Sequence, residues 1–479
     1  MSDPVRASLQ ELRALADLVK NSADAIEKAC IDKELPFPSL DEPFTPQSEG
    51  ARMLPEVQQA AGILVSAAAQ LIAVVRPPPL SGVISSLQFH ISSCLRVAIE
   101  NHVIEILRDS GPQGLHVRDI AAPSKVNPEK LARVLRLLAT HHIFREVAPD
   151  TFVNNRISSS LDTGKSIQVI LADPAAKYDN TSGIAAITVH SSDEVLKSAA
   201  YLQEVLSDPE LTSSGEPTKA SFNKAFKTDL MFWEWFDLPE NAANLRRFGN
   251  AMTGLTNSTP ASAILEGFDW KALPKDSVVV DVGGGVGSQT LVLAKAFDHL
   301  KFVVQDRPSV IAESAPNYWK ESHPEAISSG QVTLQGHDFF APQKIHGPAV
   351  FTMRMILHDW SDDYSVKILR HLRDAAGPHT QLVIVDSIVS YACPEPEPKH
   401  NITVVSNDIA PPAPLLPNYG VSNSLPYLSD LQMLNVCNAS ERTLEQFDEL
   451  FAKGGWKLSR VHLAGGQVVR GVKLIAVPA

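Results

Sequence analysis

Apolar residues recur at helical spacing through the N-terminal part of the chain. In residues 5–29 this spacing predicts an amphipathic helix. An Ala-rich second helix follows and ends at about Val75, just before three consecutive prolines. Its apolar stretch, Ala60–Val75, is shorter than a membrane span and therefore predicts a buried helix. We expect the two helices to form a helical extension over residues 1–80.

Three helical segments and a hairpin follow in residues 85–157. The first segment, "LRVAIENHVIEILRD", predicts one continuous amphipathic helix, and "HVRDIAA" and "NPEKLARVLRLLATHHI" predict two more. The hairpin is predicted by "FREVAPDTFVNN", with its turn at residues 148–150. Helix, turn, helix and hairpin together form a winged-helix pattern. In this pattern Arg133 and Arg136 serve either DNA binding or the solvated edge of a core.

Short β-branched runs alternate with helical segments from Val278 onward. This alternation predicts a parallel sheet with crossover helices. The predicted strands are "SVVVDVG", "KFVVQD", "QVTLQGHD", "AVFTMRM" and "TQLVIVDSIV". Before them, residues 217–265 predict helices rich in aromatic side chains. After them, the Pro-rich residues 391–426 predict a long surface loop.

Length, charge and cysteine content narrow the class of protein. The 479 residues are too many for one compact core, so we expect more than one domain. After the helical extension at 1–80, we place a winged-helix-like unit with connecting helices at 81–216 and an α/β unit at 217–479. The formal net charge of -12 disfavours nucleic acid as a partner, because phosphate binding needs a basic face. The four cysteines form no CxxC pair and predict no metal site. Without an apolar signal core, we expect a cytoplasmic protein with no membrane partner.

A glycine-rich turn ends the first predicted strand, in "VVVDVGGGVG" at residues 278–287. Glycines let the backbone pass close to a ligand, and the next helix directs its free N–H groups there; packing alone is the alternative explanation. Asp306 ends the second strand, 19 residues past Gly287, where a carboxylate can accept both hydroxyls of a ribose, and Asp338 ends the third. Because the turn contains no lysine or arginine, the pattern favours a positively charged nucleoside over a polyphosphate.

Five motifs resemble, in their order, those of one enzyme family. "DVGGGVG", "QDRPSVI", "GHDFF", "MRMILHDWSDD" and "NASERTLEQF" are similar to motifs of the class I S-adenosylmethionine-dependent O-methyltransferases, in the branch of plant caffeate-type and fungal small-molecule enzymes. The resemblance spans residues 85–479. It implies an α/β, Rossmann-like methyltransferase domain and an α-helical N-terminal winged-helix domain that serves dimerisation. It also implies S-adenosyl-L-methionine as the cofactor and a homodimer as the assembly.

The resemblance also assigns residues to the cofactor. It implies that Asp281, Gly283 and Gly285 line the methionine part of the cofactor. It further implies that Asp306 holds the ribose and that Asp338 and Phe339 contact the adenine. Arg354 stands where the family usually has lysine, as a cation near the cofactor. Arginine and lysine differ in hydrogen-bonding geometry, so this contact departs from the family pattern.

The reaction implied by the resemblance is in-line transfer of a methyl group from a sulfonium to a phenolic hydroxyl of a small aromatic molecule. A phenol has a pKa of about 10 and is mostly neutral at pH 7, so the transfer needs a base; a neutral histidine with a pKa of about 6.5 suits that role. His358, in "MILHDWSDD", follows an apolar strand at the ligand-binding edge, ahead of a helix that Ser361 is predicted to cap. The alternative is a structural histidine, since the chain has 15.

A base histidine needs its other nitrogen oriented, commonly by a carboxylate. The family pattern offers two acids: Glu441, in "SERT", and Asp386, which follows the fifth strand where plant members usually carry glutamate. Asp386 is shorter by one methylene, so its reach to His358 is an open question. We therefore expect Glu441 to be the main orienting acid.

Two interpretations remain open both for the residues of the acceptor pocket and for the reaction. By family position, Phe248 and Met252 face the acceptor, and aromatic and thioether walls suit a flat ring. The alternative places the aromatic side chains of this region in an interdomain core. For the reaction, the alternative is a methyltransferase-fold enzyme that keeps the cofactor but catalyses a pericyclic rearrangement or a cyclisation. Retention of His358 and Glu441 favours methyl transfer.

Overall fold

The computed structural model describes residues 4–257, 260–395, 402–405, 409–463 and 471–479. The chain divides into two compact units. The first comprises residues 1–202, 222–258 and 412–415. The second comprises residues 203–221, 259–411 and 416–479. Of the predicted surface loop at 391–426, the parts at 396–401 and 406–408 lie outside the described residues.

Helices dominate the first unit. The longer ones are Gln10–Lys33, Pro55–Val75, Pro78–Leu87, Phe89–Glu100, Pro128–Thr140 and Ala242–Asn257. The shorter ones are Pro4–Ser8, Val103–Leu107, Val117–Ala121, Arg156–Ser159, Ile167–Ala172, Ile184–His190, Leu196–Ala199, Ser221–Phe226 and Phe232–Phe236. The helix predicted at residues 5–29 is present and continues to Lys33.

The predicted winged-helix pattern is confirmed in the first unit. Strands β2 (Phe144–Ala148) and β3 (Thr151–Asn154) form the hairpin, and β1 (Leu115–His116) pairs with β3 on its other side. The guanidinium of Arg136 binds the carboxylates of Glu146 at 2.9 Å and Asp150 at 2.6 Å. Arg136 is therefore neutralised within the unit, which favours the core-edge interpretation over DNA binding.

The prediction of one continuous helix across "LRVAIENHVIEILRD" is wrong. The helix Phe89–Glu100 ends, and a new one begins at Val103. The Asn101 side chain donates a hydrogen bond to the Val97 carbonyl at 2.8 Å, and His102 has a left-handed backbone with φ of 60°. A left-handed residue interrupts the helical hydrogen-bond ladder, so the chain turns here.

The helix Pro55–Val75 is buried on one face only, so the prediction of a buried helix holds for half of its surface. Its inner face packs against Gln10–Lys33 and includes Val57 and Ala67, which are almost fully buried. Its outer face leaves Ile72 at 49% and Val75 at 62% exposed. By length and composition, Pro55–Val75 and the run Pro78–Glu100 both satisfy the criteria for a membrane span.

An eight-stranded sheet forms the core of the second unit within its described residues. In chain order the strands are β4 (Val278–Val282), β5 (Lys301–Asp306), β6 (Val332–Gly336), β7 (Val350–Arg354), β8 (Gln381–Asp386), β9 (Thr403–Val405), β10 (Trp456–His462) and β11 (Val472–Pro478). Across the sheet the order is β6-β5-β4-β7-β8-β11-β10-β9. Strands β4 to β8 run parallel, which confirms the prediction from the alternating apolar runs.

One edge of the sheet departs from the parallel pattern. Strand β11 lies antiparallel between β8 and β10, and β9 pairs parallel with β10. The sequence analysis predicted no strand beyond β8. A signal was present in β10, where the buried Trp456 and Leu458 alternate with the exposed Lys457.

Helices connect the strands of the second unit. They are Leu202–Leu206, Pro209–Thr212, Ser288–Ala296, Ala315–Ser322, Pro324–Ser328, Asp362–Ala375, Leu425–Cys437 and Leu444–Lys453. Because β4 to β8 are parallel, their carboxyl ends meet at one edge of the sheet, where ligands of open α/β sheets bind. This edge contains the glycine turn, Asp306, Asp338, Arg354 and Asp386.

Candidate active site

The glycine turn after β4 is shaped by its neighbours. Gly283 has φ of 70° and Gly285 has φ of 60°, backbone conformations that residues with side chains rarely adopt. A Cβ atom at Gly283 would lie 2.6 Å from the terminal methyl of Ile356, so a side chain there would displace Ile356 in addition to straining the backbone. A Cβ atom at Gly285 would meet nothing within 4 Å. The turn therefore presents bare backbone to open space at the carboxyl edge of the sheet.

Asp306, at the end of β5, braces this turn. One carboxylate oxygen accepts a hydrogen bond from the Gly285 N–H at 2.8 Å, and the other accepts one from the Arg307 N–H at 2.8 Å. Each carboxylate oxygen has a second lone pair, and the side chain is only half-buried. Asp306 can therefore hold the turn and still accept hydrogen bonds from the hydroxyls of a ligand.

The other two predicted acids lie in different environments. Asp281 is buried beneath the turn and accepts a hydrogen bond from the Thr290 hydroxyl at 2.6 Å, and burial raises its pKa to about 6. Asp338 is exposed, and one of its oxygens accepts a hydrogen bond from the Phe340 N–H at 2.9 Å. Asp281 thus supports the turn from below, while Asp338 stands open to a ligand.

Phe339 lies against the same turn, and Arg354 ends the neighbouring strand β7. The Phe339 ring packs edge-on against Trp360, with centroids 5.9 Å apart, and one ring carbon would lie 3.7 Å from a Cβ atom at Gly283. Arg354 is half-buried; burial lowers its pKa, and the charges of Asp281 and Asp386 oppose that change. The ring, the acids and the bare backbone fit a nucleoside that carries positive charge.

His358 lies in the single 3-10 turn Leu357–Asp359 directly after β7, with its side chain 10% exposed. Its Nδ1 atom is 2.9 Å from Oε1 of Glu441. An ionised carboxylate only accepts hydrogen bonds, so Nδ1 carries the hydrogen and Nε2 is the nitrogen that takes up a proton. The Nε2 atom lies 3.6 Å from Oδ1 of Asp359, an acid to which the sequence analysis gave no role.

Glu441 is itself held from several sides. Its Oε1 atom also accepts a hydrogen bond from the Ser429 hydroxyl at 2.7 Å, and its backbone N–H donates to Oδ1 of Asp430 at 2.9 Å. Both partners lie on the helix Leu425–Cys437, and the sequence analysis missed them because they follow a segment predicted as loop. The structure thus brings Glu441 into direct contact with His358 and fixes it there.

Asp386, the last residue of β8, approaches His358 without bonding to it. It is fully buried, and neither of its carboxylate oxygens has a hydrogen-bond partner within the described part of the chain. One ligand atom each of His358, Asp386 and Glu441 lie within 4.8 Å of one another. Burial raises the pKa of Asp386 to about 7, and the charge of His358 opposes this rise. Asp386 therefore acts on the imidazole through space.

These acids change the protonation of His358. Burial alone would lower its pKa, but the charge of Asp359 and the hydrogen bond to Glu441 outweigh burial and raise the pKa to about 10. The raised pKa runs against the expectation of a neutral histidine with an ordinary pKa and favours the imidazolium at pH 7. Each acid favours the charged ring, which explains the direction of the change.

Arg442 holds the turn that carries His358, a role that the sequence analysis did not assign. Its guanidinium, 1% exposed, donates hydrogen bonds to the carbonyls of Leu357 at 2.8 Å and Trp360 at 2.7 Å. It also pairs with Asp362 at 2.9 Å. The adjacent residues Glu441 and Arg442 thus have different roles. Glu441 fixes the imidazole ring of His358, and Arg442 fixes the backbone of the turn that carries it.

Phe248 and Met252 lie on the helix Ala242–Asn257 of the first unit, and both are half-buried. The Phe248 ring stacks on Phe236 with centroids 5.0 Å apart and meets His190 edge-on at 5.3 Å. Phe248 therefore belongs to an aromatic cluster of its own unit. The assignment of Phe248 and Met252 to the acceptor stays a prediction.

Together, the sheet order, the glycine turn and the acids at the strand ends define a class I methyltransferase. Family models match the O-methyltransferase domain at residues 206–409 and the O-methyltransferase dimerisation domain at residues 85–163. An O-methyltransferase of Armillaria gallica is 43% identical, covering 94% of this chain and 95% of its own. The 4-O-methyltransferase 1 of Phanerochaete chrysosporium is 41% identical over the same shares. The chain belongs to this O-methyltransferase family, and S-adenosylmethionine is its cofactor.

Solved structures share the fold at low sequence identity. One is described as a pericyclic reaction enzyme; it is 19% identical, with a TM-score of 0.62, and covers 88% of this chain and 95% of its own. Another is the O-methyltransferase NcsB1 of neocarzinostatin biosynthesis, in complex with S-adenosyl-L-homocysteine and 1,4-dihydroxy-2-naphthoic acid. It is 19% identical, with a TM-score of 0.56, and covers 81% of this chain and 96% of its own. At these identities the likeness concerns the fold alone.

Proposed function

We propose that this enzyme methylates a phenolic hydroxyl of a small aromatic molecule and that His358 manages the acceptor's proton. The observation that carries the proposal is the fixed imidazole after β7, whose Nδ1 is held by Glu441 at 2.9 Å. This fixation leaves Nε2 for the acceptor. When bound, the cofactor supplies the electrophilic methyl group. The chain's own part is to hold an ionised acceptor oxygen in line with it.

The raised pKa of His358 matches a phenolic acceptor. A phenol has a pKa of about 10, and the His358 ring also has a pKa of about 10. Moving the proton from the phenol to Nε2 therefore changes the free energy little. An ordinary histidine, with a pKa of about 6.5, would make the same transfer uphill by roughly 5 kcal/mol. Glu441 and Asp359 thus stabilise the imidazolium that the transfer produces.

At pH 7 the ring is already protonated before the acceptor arrives. We infer that a phenol then binds as its phenolate beside the imidazolium and releases its proton to solvent. The ion pair offsets the cost of ionising the phenol, and the buried setting strengthens it. His358 then acts as the positive partner of the phenolate, and it takes the proton itself only at high pH.

Label transfer tests the proposed reaction directly. The enzyme is incubated with cofactor carrying a labelled methyl group and with a panel of phenols, and the products are identified by mass. We expect the label in an O-methyl ether, with far less in a His358→Gln variant. An isomerised or cyclised product without label would instead support the non-methylating alternative.

We also propose that the enzyme is a homodimer. The match to the O-methyltransferase dimerisation domain at residues 85–163 supports this assembly. The first unit leaves large apolar side chains exposed, such as Val83 at 57% and Phe89 at 49%. Monomeric soluble proteins rarely expose contiguous apolar patches of this kind. Light scattering at micromolar concentration should therefore give the mass of two chains.

A further inference from the structure

An uncharged stretch runs through the first unit. From Val57 to Leu95 the sequence contains one charged residue, Arg76, although a fifth of the whole chain is charged. The stretch forms the helices Pro55–Val75 and Pro78–Leu87 and the start of the next one. Surface helices normally alternate apolar and charged faces, so a stretch this poor in charge is expected to be covered.

The helix Pro78–Leu87 buries little of its surface against the described residues of this chain. None of its residues is buried. Leu80, Val83 and Leu87 are 49%, 57% and 50% exposed, and they recur at the spacing of one helix face. Its exposed apolar face is the kind of surface that packing from outside the chain would cover.

An apolar groove of matching character lies on the helical extension. It has a volume of about 910 Å³ and runs beside the helices Gln10–Lys33 and Pro55–Val75. Its apolar lining comprises Ile26, Cys30, Leu35, Phe37, Leu64 and Val65. Asp24, Glu27 and Glu34 add negative charge to it, opposed by Arg52. One chain thus carries both an exposed apolar helix and an apolar groove.

We propose that the groove of each chain receives the helix Pro78–Leu87 of a second copy. A twofold axis pairs a helix and a groove twice, which closes the assembly and covers both surfaces. The helix runs on into Phe89–Glu100, which lies inside the matched dimerisation domain, so the two contacts are continuous. This inference rests on the proposed homodimer and says which elements of the extension complete it.

The charges favour a protein occupant over a membrane. Helices that lie on membranes carry lysine and arginine on their polar face, whereas Pro78–Leu87 has neither. The acids in the groove lining would repel anionic lipid head groups. An uncharged helix fits such a groove, because its apolar face fills the apolar floor and it brings no negative charge toward the acids of the lining.

Disulfide trapping tests the pairing, because the native Cys30 lies in the groove. Leu80→Cys, Val83→Cys and Leu87→Cys are made singly in the full chain and oxidised mildly. On a non-reducing gel, at least one should give a dimer-sized band that disappears when Cys30→Ser is added. Ser85→Cys, on the exposed opposite face of the same helix, is the matched control and should give no such band. A dimer band that persists with Cys30→Ser, or no band from any of the three, overturns the pairing.

Two further measurements distinguish a failure of the helix-in-groove contact from a failure of the proposed homodimer. A dimer by light scattering without the Cys30-dependent band would keep the homodimer and reject this helix-in-groove contact. A monomer would reject both. Flotation of the wild-type protein with vesicles of phosphatidylcholine and phosphatidylserine should leave it unbound, and co-flotation would overturn the protein occupant.

Discussion

His358 is one imidazole among three carboxylates, and each carboxylate has its own relation to the ring. Glu441 bonds Nδ1 at 2.9 Å, Asp359 lies 3.6 Å from Nε2, and Asp386 acts without a hydrogen bond. Together they raise the pKa of the ring. The acids thus act on both the orientation and the charge of the residue that we propose meets the acceptor.

The pH profile of the reaction should report this arrangement. The pKa of His358 is raised to about 10, so the neutral ring appears only as the pH rises toward that value. With an unactivated phenol, kcat/KM should therefore climb through the alkaline range and not level off near pH 6.5. A plateau from pH 7 onward would contradict the raised pKa.

Glu441→Gln and Asp386→Asn should change that profile to different extents. Glu441→Gln removes the charge and leaves only a neutral acceptor for Nδ1–H, which weakens the oriented bond, so the alkaline limb should move to lower pH and the maximal rate should fall. Asp386→Asn removes only a charge, so the limb should move with a smaller loss of maximal rate. The pH dependence of kcat/KM for both variants is the measurement. Equal losses of maximal rate would reject Glu441 as the orienting acid.

Arg442→Lys should slow the reaction without weakening cofactor binding. Lysine keeps the charge but lacks the planar fork that holds the carbonyls of Leu357 and Trp360. We expect kcat to fall about tenfold or more and the Kd of the cofactor to stay near its wild-type value. Arg370→Lys, at an exposed arginine that bonds a carbonyl at 3.3 Å, is the matched control. An unchanged kcat would show that the turn does not depend on Arg442.

At the scale of elements, the periodicity of the apolar runs sufficed to predict the parallel strands β4 to β8, and the glycine turn and the acids do lie at their carboxyl ends. The antiparallel pair β10 and β11 was not predicted, although buried and exposed residues alternate in β10. The break at His102 was not predicted either, since one left-handed residue leaves the apolar periodicity intact. The raised pKa of His358 depends on Asp359, its neighbour in sequence, and also on Glu441 and Asp386, which folding brings from distant segments and which spacing alone could not place beside the ring.

Asp306 should be the most sensitive acid at the strand ends. Asp306→Ala removes the predicted acceptor for the ribose and also the bond that braces Gly285. A hydrogen bond to a charged group contributes about 1.5–3 kcal/mol, so the Kd of the cofactor should rise by about tenfold to a hundredfold or more. Calorimetric titration is the measurement, and Asp338→Ala, at an exposed acid, should lose less. An unchanged Kd for Asp306→Ala would remove Asp306 from the cofactor site.

At the scale of the whole molecule, the chain combines a methyltransferase unit with a helical unit that leaves apolar surface uncovered. The helical extension was expected from spacing alone. Its exposure could not be read from the sequence, because an apolar stretch gives the same pattern whether its own chain or a second copy covers it. The boundaries at residues 80 and 216 stay predictions.

The central claim, that His358 manages the acceptor's proton, is tested most directly by comparing two acceptors in one variant. Methyl transfer by wild type and His358→Gln is measured at pH 8 with an ordinary phenol and with a nitrophenol that is already ionised. We expect a loss of about 10²–10⁴-fold for the ordinary phenol, the range for a positioned acid or base. The loss should be smaller for the nitrophenol, because it is ionised without help from the enzyme and its less basic oxygen gains less from the imidazolium, while the Kd of the cofactor stays unchanged. Equal losses for the two acceptors would contradict the account and leave His358 a role in positioning only.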